Sequence, residues 1–496
     1  SVGYLGNIGS PAQSRIYFNR AEKSKFYFLD AFDYYRKNPE DNLFLNTKEP
    51  YSNIYYQSAG GSQTKEENLK FEISMNFGKK INIGGHIDYL YARGFYENLY
   101  NKQFNYDIYG SYIDDKIEIQ GFVANNYFNN SENGGILDDN ELSSTPPIPS
   151  TEIGVALKNI WNKMRGRHLF LTGKYNLAVQ DETNVPVASV IYTTHYTDQK
   201  REFLSDSPTI TDTIFPFRLS QKNNNLFSYW SFKNTFALAL NEGFRDWVKF
   251  GLKAFIEQDI RKYSIPLADY SMFNERAGQS ETRIGGVLSK RQGTLLNYDL
   301  TGDVAITGYN LGEFNLIGDV STGIPIGGKI ASLKARGYIK NIKSTFFENR
   351  YTSITYNWNH NFKDTRKVYI GGELSIPHTG TLLTGGVENV QNLIYASQLP
   401  SNLIELQQSS ENIQVVAFSA DQKLKAGILH WNNQVVFQTS SNEQVLPLPK
   451  VTVYSNVYIE TLLAKVLKVQ LGFDARFFTE YYAPSYDPMT VQFYNQ

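Results

Sequence analysis

The side chains that could carry catalysis or bind a metal are scattered along the chain without the spacing that such sites need. The 496 residues include no cysteine, which excludes disulfides, thiolate metal ligands and a cysteine nucleophile among them. The six histidines contain no pair at i, i+2 or i, i+4, the spacings that place two rings on one face of a strand or helix: His86, His168, His195, His360, His378 and His430. We therefore predict no catalytic, cofactor or metal site, and no enzyme.

Two short segments resemble ligand-binding loops but lack the context that such loops require. Residues 323–330 read G-x-x-x-x-G-K-I, whereas a phosphate-binding loop needs Ser or Thr after the lysine and a helix behind it. Asp138, Asp139 and Glu141 could offer oxygens to calcium, but the D-x-D-x-D-G spacing is missing. A hairpin turn and a solvated acidic loop are the favoured interpretations.

Most other charged residues alternate with apolar ones along extended segments. On a strand this alternation places the charges on one face, which would line a channel if the strands closed into a barrel. The candidate pore-lining residues are Glu72, His86, Asp88, Lys249, Lys253, Asp299, Asp303, Lys334, Arg336, Glu373, Asp474 and Arg476. Both signs of charge occur, so this face predicts a water-filled lumen and leaves its ion selectivity open.

The clearest of these segments is residues 69–91. Apolar side chains occupy every second position on both sides of Gly78-Lys79-Lys80: Leu69, Phe71, Ile73, Met75 and Phe77, then Ile81, Ile83, Ile87, Tyr89 and Tyr91. This pattern predicts two strands of about 10 residues joined by a tight turn, a length that suits a transmembrane barrel strand. Lipid could then cover the apolar face, which in a soluble protein would need a second layer.

The connections between predicted strands alternate between short and long. Short turns are predicted at 78–80, 114–116, 180–185, 241–244, 290–293, 325–328, 377–380, 421–423 and 461–465. The intervening connections are mostly longer, with 311–313 the short exception. We therefore expect an all-β fold: a transmembrane antiparallel up-and-down β-barrel of about 18 strands (roughly 16–22), with short periplasmic turns and long external loops.

Composition agrees with a barrel in the bacterial outer membrane. Aromatic residues make up 15% of the chain, with 35 Tyr and 32 Phe, and amphipathic tyrosine suits the level of the lipid headgroups. Mean hydropathy is −0.40, and no apolar run approaches the length of a membrane-spanning helix. The net charge of −1 argues against nucleic-acid binding. Outer-membrane lipids and lipopolysaccharide are the expected surroundings.

The first part of the chain lacks this alternation. We expect residues 1–63 to form an extension at or inside the barrel, with a short strand near residues 26–29 and a further strand near 52–59, and residues 64–496 to form the barrel. Since residue 1 is not followed by a basic and then an apolar run, the chain is expected to be a mature one.

Six stretches, in order along the chain, resemble the putative porin family of the Bacteroidota: residues 5–11, 46–51, 132–136, 359–362, 446–450 and 482–486. This resemblance implies an outer-membrane barrel and a pore, and it implies no catalytic residues. Members of that family continue with further strands after the last of these stretches, so we expect either that the C-terminus is incomplete here or that the barrel closes differently.

Three functions remain open from the sequence. The first is passive diffusion of small hydrophilic solutes through the barrel. The second is an occluded barrel that serves as a structural or partner subunit of an outer-membrane assembly, uptake or secretion complex, with a surface lipoprotein or other outer-membrane subunit as partner. The third is a soluble all-β binding protein. The charged lumen face and the loop pattern motivate the first, which is the predicted function. The extension and the loop aromatics motivate the second as the alternative, since either could fill a lumen; these aromatics are Phe95, Tyr96, Tyr100, Tyr127, Phe128, Phe346, Phe347, Tyr351 and Trp358.

Overall fold

The computed structural model describes residues 2–62, 64–179, 185–205, 223–266, 274–293, 295–353 and 356–496. Its strands are numbered in chain order, and nineteen of them form one closed barrel. The barrel strands are β3 (Tyr51–Ala59), β4 (Glu66–Phe77), β5 (Ile81–Ala92), β6 (Asn101–Ile113), β7 (Ile117–Ser131), β8 (Ile160–Val179), β9 (Pro186–Ser205), β10 (Asn223–Leu240), β11 (Gly251–Pro266), β12 (Asn274–Lys290), β13 (Asn297–Gly308), β14 (Phe314–Ile326), β15 (Lys329–Ile342), β18 (Thr365–Ile376), β19 (Thr381–Gln391), β22 (Ile413–Ala426), β23 (Leu429–Ser440), β24 (Val451–Leu463) and β25 (Leu467–Phe478).

Short elements between the barrel strands complete the described fold. They are β1 (Val2–Tyr4), β2 (Ala12–Ser14), β16 (Arg350–Thr352), β17 (Asn357–Asn359), β20 (Ile394–Gln398), β21 (Ile404–Gln408), β26 (Ser485–Asp487), β27 (Gln492–Asn495) and the single helical turn α1 (Phe346–Asn349). Among the described residues, no helix is long and apolar enough to cross a membrane.

Each barrel strand pairs antiparallel with the next barrel strand along the chain. The predicted all-β barrel is therefore confirmed, and its nineteen strands include β3 in addition to the expected eighteen. β3 and β25 are neighbours where the barrel closes. Because the number of barrel strands is odd, these two strands run in the same direction.

Alternation along the strands separates an outer apolar face from an inner polar one. In β4 and β5 the outer side chains Ile73, Met75 and Ile83 are exposed, whereas Ser74 and Asn82 on the inner face are buried. The Ser74 hydroxyl and the Asn82 amide hydrogen-bond at 3.0 Å across this hairpin. The exposed apolar side chains form the surface that lipid covers in an outer membrane.

Most predicted turns match the structure, and two local predictions are wrong. The strand alternation continues past residues 421–423, and the turn is made instead at Gly427, whose φ of +61° a glycine adopts readily. Lys249 was expected on a strand but precedes β11 in an exposed turn. The predicted turn at 180–185 lies mostly outside the described residues.

The N-terminal segment runs through the barrel interior from one end to the other. At the end with the long loops, the Asn7 amide donates to the carbonyl oxygen of Leu99 at 2.8 Å. At the end with the short turns, the backbone N–H of Thr47 donates to Asn76 Oδ1 at 3.2 Å. Between these points residues 27–32 form a 3-10 helix, so the short strand expected near residues 26–29 is a wrong prediction.

Charge on the outer face should destabilise the barrel, whereas charge on the inner face should not. Ile370 in the middle of β18 is 71% exposed on the outer face, and Ile370→Lys should cost about 2–4 kcal/mol of folding free energy in a bilayer. Thr384→Lys is the matched control, because Thr384 pairs with Glu373 on the inner face. Urea titration of refolding into liposomes measures both, and equal losses would contradict the assignment of faces.

Candidate functional site

The inner wall carries charges that neighbouring strands neutralise. Near β3–β6, Lys70 Nζ lies 3.0 Å from Asp88 Oδ2, and His86 Nε2 lies 2.8 Å from Glu72 Oε1. The sequence-predicted residues Glu72, His86 and Asp88 are thus brought together on one part of the wall.

The remaining predicted residues lie around the wall in separate pairs. Lys334 contacts Glu373 at 2.9 Å, Arg336 approaches Asp319 at 3.7 Å, and Asp474 lies 3.4 Å from Arg476. Asp299 pairs with Arg291 at 2.5 Å, and Asp303 pairs with Arg283. Lys253 lies on β11, where it is opposite Ala239 and Val287. Apart from Lys253, these residues therefore lie beside opposite charges rather than in a ring of one sign.

Lys37 ties the N-terminal segment to the wall at the Glu72–His86 pair. Its Nζ lies 2.9 Å from both Asp107 Oδ2 and His86 Nδ1, and His86 Nδ1 is 2.8 Å from Asp107 Oδ1. Lys37 and Asp107 were not among the pore-lining residues predicted from the sequence. The alternation of β6 could have placed Asp107 on the inner face, but Lys37 lies in a segment without periodicity.

The long-loop half of the lumen is filled by a cluster that we name the lumen cap. It comprises residues 26–32, 346–353, 356–358, 394–406 and 486–494, which pack against inner-face aromatics of β7–β11. Phe28 lies 5.2 Å from Phe347 between ring centroids, and Tyr351 stacks on Trp358 at 4.4 Å. Where this cluster lies, packed side chains take the place of water, so the expectation of a water-filled lumen is wrong there. The sequence did not indicate the cluster because its side chains come from distant segments of the chain.

Several loop aromatics at the centre of the cap are buried. Phe347 and Tyr351 are 0% exposed and Trp358 is 5% exposed, so these residues pack together rather than present faces to a ligand. Phe128 of β7 is likewise buried and lies 5.3 Å from Phe32 between centroids. Phe95 differs, being 50% exposed.

Arg201 anchors the C-terminal part of the cap to the wall. Its fully buried guanidinium donates to Asn162 Oδ1 at 2.9 Å and to the carbonyl oxygen of Pro488 at 3.0 Å. Asn162 in turn donates to Glu132 Oε1 at 2.7 Å. Each of these hydrogen bonds to a buried charge is costly to break, so residues 486–494 are held firmly.

The two segments that resemble ligand-binding loops form ordinary local structure. Residues 323–330 form the β14–β15 hairpin turn, as predicted. In the acidic loop, Asp138 Oδ1 accepts the backbone N–H of Asn140 at 2.9 Å. His168 and His195 meet across β8 and β9 at 3.3 Å, a pairing that short sequence spacing could not reveal. The described residues hold no group of three or more His, Asp or Glu side chains placed for a metal ion.

The whole chain, residues 1–496, matches a protein family described as "Putative porin". The chain belongs to this family. Together with the barrel, this membership assigns the porin-family protein to the bacterial outer membrane. A comparison with curated proteins found no match.

Solved structures similar to the porin-family protein include two siderophore receptors and a copper transporter, all of low sequence identity. The siderophore receptor PirA from Pseudomonas aeruginosa has a TM-score of 0.57 and 11% identity, over 88% of this chain and 73% of the receptor. PirA from Acinetobacter baumannii has a TM-score of 0.59 and 11% identity, over 88% and 70%. The copper transporter OprC has a TM-score of 0.59 and 11% identity, over 83% and 67%. At these identities the likeness shows the fold alone.

Two carboxyl groups in or beside the lumen cap have raised pKa values because burial disfavours their charged forms. Burial raises the pKa of Asp30 to about 6, although Ser24 donates to this carboxyl through its hydroxyl at 2.6 Å. Burial also raises the pKa of Glu132 to about 7, against the lowering effects of Asn162 and Arg201. Both groups therefore bind protons more tightly in the closed cap than in water.

The porin-family protein should hold its cap more tightly in acid. A carboxyl group whose pKa is raised in the closed cap stabilises the closed cap fully below about pH 4. This stabilisation is lost as pH rises through the pKa in the closed cap, which is about 6 for Asp30. We expect the opening free energy of residues 26–32, measured by hydrogen exchange corrected for intrinsic rates, to be higher at pH 5 than at pH 8. Asp30→Asn should remove about 1.4 kcal/mol of this difference, which is what the raised pKa contributes between pH 5 and pH 8.

Asp41→Asn provides the control for this experiment, because Asp41 is an exposed carboxyl on the same segment. It should leave the pH dependence of residues 26–32 unchanged. An opening free energy that is flat between pH 5 and pH 8 in the unsubstituted protein would contradict the assignment to Asp30.

Proposed function

We propose that this protein is a gated, non-enzymatic outer-membrane channel for small hydrophilic solutes, and that the lumen cap is its gate. The observation that carries the proposal is the cap itself, which joins the N-terminal segment to three loop segments in one apolar cluster. A permanently open passive channel would leave this half of the lumen to water. Passive diffusion is therefore proposed only for a conformation in which the cap has moved.

The polar wall beyond the cap favours the proposal that the solute is hydrophilic. Its inner charges are arranged as pairs of opposite sign, such as Lys70–Asp88 and Lys334–Glu373. A wall of neutral pairs with amide and hydroxyl groups gives a polar path without a strong barrier for either ion sign.

A second candidate is an occluded barrel that acts as a partner subunit of an outer-membrane complex. The observation that favours it is the firm anchoring of the cap, with Arg201, Asn162 and Glu132 all buried around residues 486–494. In that case the cap would be permanent, and the barrel would contribute a surface rather than a path. Conductance recordings separate the two candidates, because ions can cross the barrel only if the cap acts as a gate and opens.

The proposal predicts that weakening the cap opens the channel. Phe28 is 0% exposed at the centre of the cap, and Phe28→Ala should destabilise the closed state by about 3 kcal/mol or more. In planar bilayers we expect the unsubstituted protein to be mostly closed with rare openings. Phe28→Ala should raise the open probability by more than tenfold, since each 1.4 kcal/mol corresponds to a factor of about ten.

Phe232→Ala is the matched control, because Phe232 is 41% exposed on the outer face of β10. It removes an equal volume without touching the cap and should leave the open probability unchanged. Folding of each variant is checked by heat-modifiable gel migration. If all three folded proteins stay silent, the gated channel is rejected and the partner-subunit candidate is retained.

A further inference from the structure

We propose that the cavity between the N-terminal segment and strands β3–β7 binds a neutral mono- or disaccharide. The inference names the solute class of the proposed channel and therefore rests on that function. The cavity has a volume of about 480 Å³, within the range of roughly 300–1,000 Å³ typical of small-molecule sites. It is lined on one side by residues of the N-terminal segment and on the other by the inner wall.

Apart from Asp41, the acidic and basic side chains of the cavity lining pair with one another. Lys70 pairs with Asp88 at 3.0 Å, and Lys37 pairs with Asp107 at 2.9 Å. His86 bridges Glu72 and Asp107 at 2.8 Å each. Asp41, the further carboxylate of the lining, is exposed and accepts the backbone N–H of Asn38 at 3.1 Å. An ionic ligand would have to break these pairs, so a neutral ligand is favoured.

Amide groups at the cavity lack partners in the described protein. Asn105 is 6% exposed and lines the cavity, yet its Oδ1 accepts no hydrogen bond from any described residue, although its Nδ2 donates to the carbonyl oxygen of Tyr35. Both side-chain atoms of Asn42 are also buried without a described partner. A buried amide without partners costs about 1–3 kcal/mol. Hydroxyl groups, which both donate and accept, would satisfy the amide oxygens and the amide NH₂ together.

Aromatic rings complete the cavity lining. Tyr55 faces the inside of β3, since it pairs with Lys70, and it stays 46% exposed. Tyr35 and Phe122 also line the cavity. A sugar ring presents hydroxyls at its rim and C–H groups on its faces, so it needs polar groups around it and an apolar ring against it. The combination of paired charges, unpartnered amides and aromatic rings matches a saccharide better than an ion or a purely apolar molecule.

Calorimetric titration of the folded protein in detergent tests the site with defined probes. We expect maltose or cellobiose to bind with a measurable Kd, and the charged analogues glucosamine and glucuronate to bind at least tenfold more weakly. Tyr55→Ala removes an exposed ring without disturbing the fold, and Asn105→Leu removes the unpartnered oxygen; each should weaken binding at least tenfold. Tyr56→Ala, on the outer face of the same strand, should leave Kd unchanged.

Three results would overturn the inference: no binding of either neutral disaccharide, equal binding of the charged analogues, or a Kd unaffected by both cavity variants. Conductance is recorded on the same preparations. Gated conductance without saccharide binding rejects this site and leaves the channel. Saccharide binding without conductance in Phe28→Ala retains the site and rejects the channel.

Discussion

Every backbone N–H and C=O group of the wall must find its partner in a neighbouring strand, because lipid offers no hydrogen bonds. In hydrocarbon an unsatisfied backbone group costs several kcal/mol, so strands persist there only in a closed sheet. The antiparallel pairing of successive strands from β3 to β25 meets this requirement. All other features depend on it, since the same pleat that pairs the backbone divides the side chains between lipid and lumen.

A closed sheet of this size encloses more space than its own inner side chains fill. The protein fills the long-loop half with segments remote in sequence: residues near 28, 347, 394 and 489 meet in one buried cluster. Their aromatic rings bury large areas and pack edge-to-face or stacked, which gives the cap its stability. The short-turn half keeps a polar wall instead. The lumen thus holds an apolar cluster towards the long loops and mostly polar wall side chains towards the short turns.

The sequence predicts the wall far better than the lumen. The β4–β5 hairpin follows from alternation alone, because period two fixes which face meets lipid. The turn expected at 421–423 failed because polar residues there belong to the inner face of a longer strand, and only Gly427 has the backbone freedom that the turn uses. The contact between Lys37 and Asp107 joins residues 70 positions apart, one of them in a segment without periodicity. No local pattern encodes such a contact.

One continuous segment links the two halves of the lumen. Residues 26–32 belong to the lumen cap, and Tyr35, Lys37 and Asn42 line the cavity a few residues later. Any solute that binds the cavity more tightly in one position of this segment must shift the equilibrium of the cap toward that position, because the two events share the same backbone. The reverse holds by linkage: a change that shifts the equilibrium of the cap alters affinity at the cavity if the two positions of the segment bind the solute unequally. Occupancy and opening are therefore coupled to the extent that the segment moves as one unit.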